Sequence, residues 1–303
     1  MKRSNTQTAF ALPAPSAVLE LLKPITWFPP MWAFACGVVS AGSSFEGRWA
    51  FVAIGVLLTG PLVCGTSQAV NDWYDRHVDA INEPNRPIPS GRIPGEWGFH
   101  IAVAWTLLSL LVASALGLWV FIGAAFGLVM AWAYSAPPLR LKANGWWGNS
   151  AVAACYEGLP WLTGATVMAA ALPGWPVFAI AGLYSFGAHG IMTLNDFKSI
   201  EGDKRSGVAS LPVQLGAERA ALVACAMMAA PQAIVVLLLA SWGLPLYAAA
   251  IAVSLAVQIA LMKKLIGSPR ELAPWYNATG VSLYVTGMMI AAVAIRPIVE
   301  AMP

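Results

Sequence analysis

Long continuous apolar stretches, divided by short polar breaks, organise this chain. Candidate spans run through 25–43, 49–71, 98–115, 118–136, 148–171, 176–195, 218–240, 245–265 and 275–295. A helix needs about 20 apolar residues to cross the hydrocarbon layer, whereas a membrane strand alternates apolar and polar positions. The runs do not alternate, so they predict an all-α polytopic membrane protein with nine transmembrane helices in a bundle. Connections such as "LPGW" at 172–175 and "WGLP" at 242–245 leave room only for tight hairpins.

Composition agrees with the pattern. Of 303 residues, 58% are hydrophobic and 10% charged, against about 25% charged in an ordinary soluble domain. Charge then sets the expected orientation. With the N-terminus cytoplasmic, Arg48 and Arg296 fall outside and the other 15 of the 17 Lys and Arg fall inside. The net charge of +3 is thus a basic cytoplasmic surface, suited to anionic lipid or an anionic ligand and not to nucleic acid. Residues 1–24 carry no long apolar core followed by a small-residue cleavage site, so no signal peptide is expected. They read as an interfacial segment, with 16–23 a short amphipathic helix, ahead of a membrane domain at 25–303. Cys36, Cys64, Cys155 and Cys225 lack metal-ligand spacing and read as small packing residues.

The acids break this apolar background at two places. Asp72, Asp75, Asp79, Glu83 and Glu96 follow the second span, and Asp196, Glu201, Asp203 and Glu218 follow the sixth. Each group begins with Asn-Asp, at Asn71-Asp72 and Asn195-Asp196, and continues into basic residues, a Ser-Gly pair and proline, a weak internal echo between two helical halves. If the second helix continues through "NDWYDRHVDA", Gln68, Asp72, Asp75 and Asp79 fall at i, i+4, i+7 and i+11, on one face. Three carboxylates so placed repel one another unless a cation intervenes. Magnesium suits hard oxygen ligands and is commonly shared between a few carboxylates and substrate phosphates. Two acidic clusters across a bundle would hold such ions with a diphosphate between them, and Arg76, Arg86, Arg92, Lys198, Lys204, Arg205, Arg140 and Lys142 are the cations available to phosphate oxygens. The bland alternative for any one of these cations is interfacial anchoring, and for Glu96 and Glu218 a solvated helix start.

The segment "NDWYDRHVDAINEPNRPIPSGRIP" resembles the first aspartate-rich motif of UbiA-type intramembrane prenyltransferases, in the form carried by their chlorophyll and bacteriochlorophyll synthase branch. "YSAPPLRLKANGWWGN" and "NDFKSIEGDKRSGVASLPVQLG" resemble later segments of the same branch, so the likeness runs from about residue 25 to the C-terminus. The resemblance implies a nine-helix fold with its active site at the cytoplasmic side of a bacterial inner membrane. It further implies magnesium-dependent transfer of a geranylgeranyl or phytyl group from its diphosphate to the propionate of bacteriochlorophyllide a. By resemblance, Asn71, Asp72 and Asp75 serve the diphosphate and magnesium, Asp79 is the last acid of the first motif, and Asp196 opens the second. Ser199 stands where many relatives have another aspartate, which leaves Glu201 or Asp203 to complete the second metal site.

A carboxylate acceptor is already ionised near neutral pH, so this chemistry calls for no general base. The residues left for the pigment are Glu157, about ten residues into the fifth span, His189, seven before Asp196 and on its face, and Tyr134. His189 is a candidate axial ligand for the pigment's central metal, with a hydrogen-bonded packing histidine as the competing reading. A quinone or haem acceptor would keep the same metal site, and a secondary transporter is the alternative of another class, though its site should lie near the midplane rather than at one face. So hydrophobic a product would also suit hand-over to pigment-assembly proteins.

Overall fold

The computed structural model describes residues 12–302, which are helical almost throughout with no β-strand among them. Of the interfacial segment expected at 1–24, residues 1–11 lie outside the described residues. In chain order the helices are α1 (Pro15–Leu21), α2 (Phe28–Ser40), α3 (Trp49–Leu57), α4 (Gly65–Asn82), α5 (Trp97–Leu116), α6 (Leu118–Ser135), α7 (Gly145–Ala153), α8 (Leu159–Ala169), α9 (Trp175–Asp196), α10 (Ile200–Ser206), α11 (Leu211–Leu215), α12 (Ala217–Ser241), α13 (Pro245–Gly267) and α14 (Pro269–Glu300). Turns of π-helix, Leu58–Cys64 and Ala154–Gly158, join α3 to α4 and α7 to α8. The first is built around Pro61, whose missing N–H prevents the regular ladder from running through.

Seven helices among the described residues are long and apolar enough to span a membrane, the α3–α4 run of 34 residues being the longest. Two of the nine expected spans differ. The one at 25–43 is realised by a helix of only 13 residues, about 20 Å at 1.5 Å per residue, because Lys23 takes a left-handed backbone and Pro24–Thr26 form a 3₁₀ turn before it. The one at 148–171 is interrupted by the π turn and carries buried Asn149 and Glu157.

The chain divides into two compact units. Unit one comprises residues up to Met31 and Ala53–Arg140. Its core sets Leu21 and Leu22 at the end of α1 against Ala69 and Val70 of α4, Ile101 and Ala102 of α5 and Ile93 of the loop 83–96. Trp27, Trp97, Trp105 and Trp132 pack around it. The amphipathic α1 is thereby pinned by Leu21 and by Leu22 just after it, and the proline-rich loop by Ile93, which is 1% exposed.

Unit two comprises Trp32–Val52 and Leu141–Pro303. Its centre is α9, packed chiefly against α12, α14 and α7. Small residues permit the close approaches that membrane helices use in place of a hydrophobic drive. Gly37 of α2 lies against the backbone of Trp161, and Gly164 of α8 against the backbone of Phe34, where any β-carbon would collide. Several buried polar groups find partners across helices. Tyr284 donates to the Tyr184 carbonyl at 2.6 Å, Trp161 to Ser40 Oγ at 3.0 Å, and Gln232 and Gln258 clasp each other's amides at 3.1 and 3.0 Å.

Candidate active site

In unit one the helix does run unbroken through the first acidic cluster, as α4. Asp72 is 1% and Asp79 7% exposed, and Asp75 is half-buried. Cations answer their mutual repulsion: Arg86 Nη1 lies 2.8 Å from Asp79 Oδ2 and 3.5 Å from Asp72 Oδ1, and Lys23 Nζ lies 2.6 Å from Asp72 Oδ1. Burial works against the Arg86 charge, but Asp72, Asp79 and Glu83 outweigh it and hold the guanidinium pKa above its ordinary value. The loop delivers Arg86 because its own backbone is closed by Ser90 N–H donating to the Arg86 carbonyl at 3.0 Å and Ile93 N–H to the Pro87 carbonyl at 2.9 Å. Arg92 is occupied elsewhere, donating to both carboxylate oxygens of Glu20 on α1.

The remaining first-motif residues take distinct positions. Asn71 donates to Ser135 Oγ on α6 at 3.2 Å. Arg76 folds back on Trp73, with its guanidinium 4.0 Å from the ring centroid and a 2.6 Å hydrogen bond to the Trp73 carbonyl. Tyr134 is half-buried in the last turn of α6, and Arg140 is half-buried beyond it with a left-handed backbone.

In unit two Asp196 closes α9, and Asn149 of α7 donates to its Oδ2 at 3.1 Å and to Thr193 Oγ1 at 3.3 Å. His189 lies two turns deeper on that face, 3% exposed, with Trp146 5.6 Å away centroid to centroid at 33°. Backbone carbonyls of Trp146 and His189 itself stand near the imidazole, yet neither ring nitrogen completes a hydrogen bond. Asp203 Oδ2 accepts from Ser199 Oγ at 2.9 Å and Ser210 Oγ at 2.7 Å, tying α10 to the start of α11. Ser199, the departure from the motif, therefore serves Asp203. Glu201 is exposed and pairs loosely with Lys204 and Arg270, each at 3.8 Å. Lys198 and Lys204 are exposed, Lys142 half-buried in the 3₁₀ turn Leu141–Ala143. Glu157 sits in the second π turn, 5% exposed, with Oε2 unpartnered.

Do these residues fit magnesium? Asp72 Oδ2 is buried without a hydrogen-bond partner, an orphaned hard oxygen of the kind the ion takes. Among the described residues no group of three or more His, Cys, Asp or Glu is gathered as a metal cage. Magnesium commonly draws several of its ligands from phosphate and water, so it needs only one or two protein carboxylates. Lys23 lies outside the resembling segments, and Ser135, Asn149 and Ser210 lie within them without a role read from the sequence; the three-dimensional contacts single out all four.

The pattern of the UbiA prenyltransferase family matches residues 26–293. The chain is 57% identical over 286 residues to the bacteriochlorophyll synthase 33 kDa chain of Cereibacter sphaeroides, covering 94% of this chain and 95% of that one. It is 54% identical to the protein of the same name from Rhodobacter capsulatus, again over 94% and 95%. Its fold matches a UbiA homologue from Archaeoglobus fulgidus bound to DMAPP and Mg2+, with TM-score 0.68 and 21% identity over 91% of this chain and 99% of that one. The chain belongs to the UbiA prenyltransferase family, and it is a multi-pass membrane prenyltransferase.

Proposed function

We propose that this enzyme esterifies the propionate of bacteriochlorophyllide a with a geranylgeranyl or phytyl group taken from its diphosphate. The acceptor is supported by the 57% identity to a bacteriochlorophyll synthase chain along nearly the whole sequence. The chemistry is carried by one observation: buried Asp72 keeps an unpartnered oxygen within a shell of cations.

Asn71, Asp72, Asp75 and Asp196 bind the magnesium-diphosphate end of the donor, with Asp79 and Asp203 as further acids. Arg76, Arg86, Arg140, Lys142, Lys198 and Lys204 contact phosphate oxygens, for which Arg76 has to leave Trp73. Magnesium, when bound, neutralises the diphosphate and stabilises the charge that develops on it as it leaves. The allylic C–O bond breaks with its electron pair departing on diphosphate, and a propionate oxygen forms the new bond to the same carbon. The propionate is already ionised at neutral pH, so no residue has to remove a proton. Glu157, His189 and Tyr134 line the pigment site, His189 offering a free imidazole nitrogen to the pigment's central metal. In this reading residues 25–303 form one prenyltransferase domain of nine spans behind an interfacial segment at 1–24. The N-terminus and active site are cytoplasmic, the membrane is a bacterial inner membrane, and the pigment leaves to assembly proteins.

Membranes containing the protein, given bacteriochlorophyllide a, geranylgeranyl diphosphate and magnesium, should yield the esterified pigment, and an Asp72→Ala variant should not. Prenylation of a quinone precursor in place of bacteriochlorophyllide would overturn the acceptor. Absence of product from any acceptor would overturn the reaction.

A further inference from the structure

The cation nearest to Asp72 comes from outside the aspartate motif and its loop. Lys23 Nζ approaches Oδ1 at 2.6 Å, closer than Arg86 at 3.5 Å, and the lysine side chain is 24% exposed. The backbone is arranged to put it there. Lys23 adopts φ +47°, a conformation uncommon for any residue but glycine and one that persists only where its surroundings enforce it. Those surroundings are explicit: Leu21 and Leu22 are buried in the unit-one core, Trp27 Nε1 donates to the Leu22 carbonyl at 2.8 Å, and Thr26 donates to the Lys23 carbonyl through Oγ1 at 2.8 Å and N–H at 2.9 Å. Arg92 and Glu20 clasp α1 to the loop that carries Arg86.

We infer that Lys23 is a binding residue of the donor site, acting as the counter-ion of Asp72 before the donor arrives and as a phosphate contact once it is bound. This rests on the reading of Asp72 as a magnesium ligand. A divalent ion taking the unpartnered Oδ2 meets a carboxylate whose charge is already neutralised by the ammonium group on Oδ1, and the two cations repel each other across it. The lysine stem is flexible and its head a compact point charge. Nζ can therefore swing toward incoming phosphate while the left-handed backbone stays in place. Bare metal is disfavoured by the competition, whereas metal arriving with diphosphate finds in Lys23 a partner for the added negative charge. The interfacial segment thereby makes metal binding depend on the donor.

The test uses the purified full-length protein, with Mn2+ and inorganic pyrophosphate as probes and the spin-resonance signal of free Mn2+ as readout. Lys23→Met should bind Mn2+ alone about tenfold more tightly than the native chain, by loss of a competing cation. With pyrophosphate present that advantage should vanish or reverse, and Lys23→Arg should stay near native in both conditions. Unchanged or weaker binding of bare Mn2+ by Lys23→Met overturns the inference while leaving the metal reading intact if the native chain binds Mn2+ with pyrophosphate. Failure of the native chain to take up Mn2+ in either condition overturns the metal reading, and this inference with it. If Lys23→Met does not fold, acetylation of Lys23 in the native protein, followed by mass spectrometry, decides. Mn2+ alone should raise the rate by freeing Nζ, and Mn2+ with pyrophosphate should lower it again; a rate indifferent to both overturns the inference.

Discussion

Asn149 and Asp196 stand on different helices, and the asparagine amide reaches the aspartate's Oδ2 at 3.1 Å while its other contact, Thr193 Oγ1, lies at 3.3 Å. The amide thus fixes the carboxylate that opens the second acidic cluster. A hydrogen bond to a charged group contributes about 1.5–3 kcal/mol, roughly ten- to a hundredfold in an equilibrium. Asn149→Ala should lower kcat/KM by about that factor and raise the magnesium concentration needed for half-maximal rate. Asn149→Asp, which sets a second carboxylate against the first, should do worse. A magnesium titration at saturating donor measures both; an unchanged magnesium requirement would remove Asn149 from the site.

That contact joins residues far apart in the chain, whereas the first cluster is local to one helix. Spacing alone put Asp72 and Asp79 on one face of α4, because the i, i+7 relation is local to a helix, and both carboxylates do share Arg86. Glu157 was legible as a carboxylate in an apolar run and is buried with one oxygen unpartnered. By contrast Asn149 lies 47 residues from Asp196, and Lys23 lies 49 from Asp72. Such pairings depend on how helices pack, which no periodicity encodes. The runs at 25–43 and 148–171 predict continuous spans, yet the 3₁₀ turn Pro24–Thr26 delays the first helix to Phe28 and the π turn at Ala154–Gly158 interrupts the second.

Arg86 couples two carboxylates, so its removal leaves Asp72 and Asp79 facing each other with less compensation. Arg86→Met should lower thermal stability and weaken donor binding together. Asp79→Asn in that background should restore much of the stability, since it removes one of the repelling charges, without restoring donor binding. A double-mutant cycle on melting temperature measures the coupling, expected at about 0.5–3 kcal/mol for groups in one ion-pair network. Additive effects would show that Arg86 and Asp79 act independently.

The Gln232–Gln258 clasp between α12 and α13 is fully buried, both residues being 0% exposed. Truncating one partner strands the other's polar amide, whereas replacing both with leucine strands neither. Gln232→Leu alone should destabilise by about 1–2 kcal/mol, the scale of interhelical hydrogen bonds in membranes. The double leucine variant should recover most of that, and both should keep the native KM for donor. Thermal unfolding in detergent checks the order; a double variant less stable than the single would contradict it.

Arg92 holds the Glu20 carboxyl below its ordinary pKa, chiefly through the side-chain hydrogen bond. A lowered folded-state pKa contributes stability that is present above the unfolded value of 4.5 and is lost as pH falls through the folded one. The pair is exposed, so the contribution is small and screened by salt. The melting temperature of the native chain should therefore exceed that of Glu20→Gln slightly at pH 7 and low salt, and the gap should close on acidification below pH 4.5. A gap that widens toward acid would mean that the pair does not stabilise α1.

His189 and Asp196 share a face of α9, but only Asp196 is tied down by a neighbouring amide; the imidazole is buried against Trp146 with both nitrogens unpartnered. A buried polar group without a partner is costly, so its presence argues for a ligand that completes it. If that ligand is the pigment's central metal, His189→Leu should raise the KM for bacteriochlorophyllide about tenfold, roughly 1.4 kcal/mol, while the KM for the prenyl diphosphate stays put. Absorption of bound bacteriochlorophyllide should change with its axial coordination in the same variant, and His189→Gln should fall between. A stabilising leucine variant with native pigment affinity and an unaltered spectrum would instead assign His189 to packing. That result would leave the proposed donor site intact, because His189 takes no part in the ion pairs of Asp72 or in the amide contact that holds Asp196.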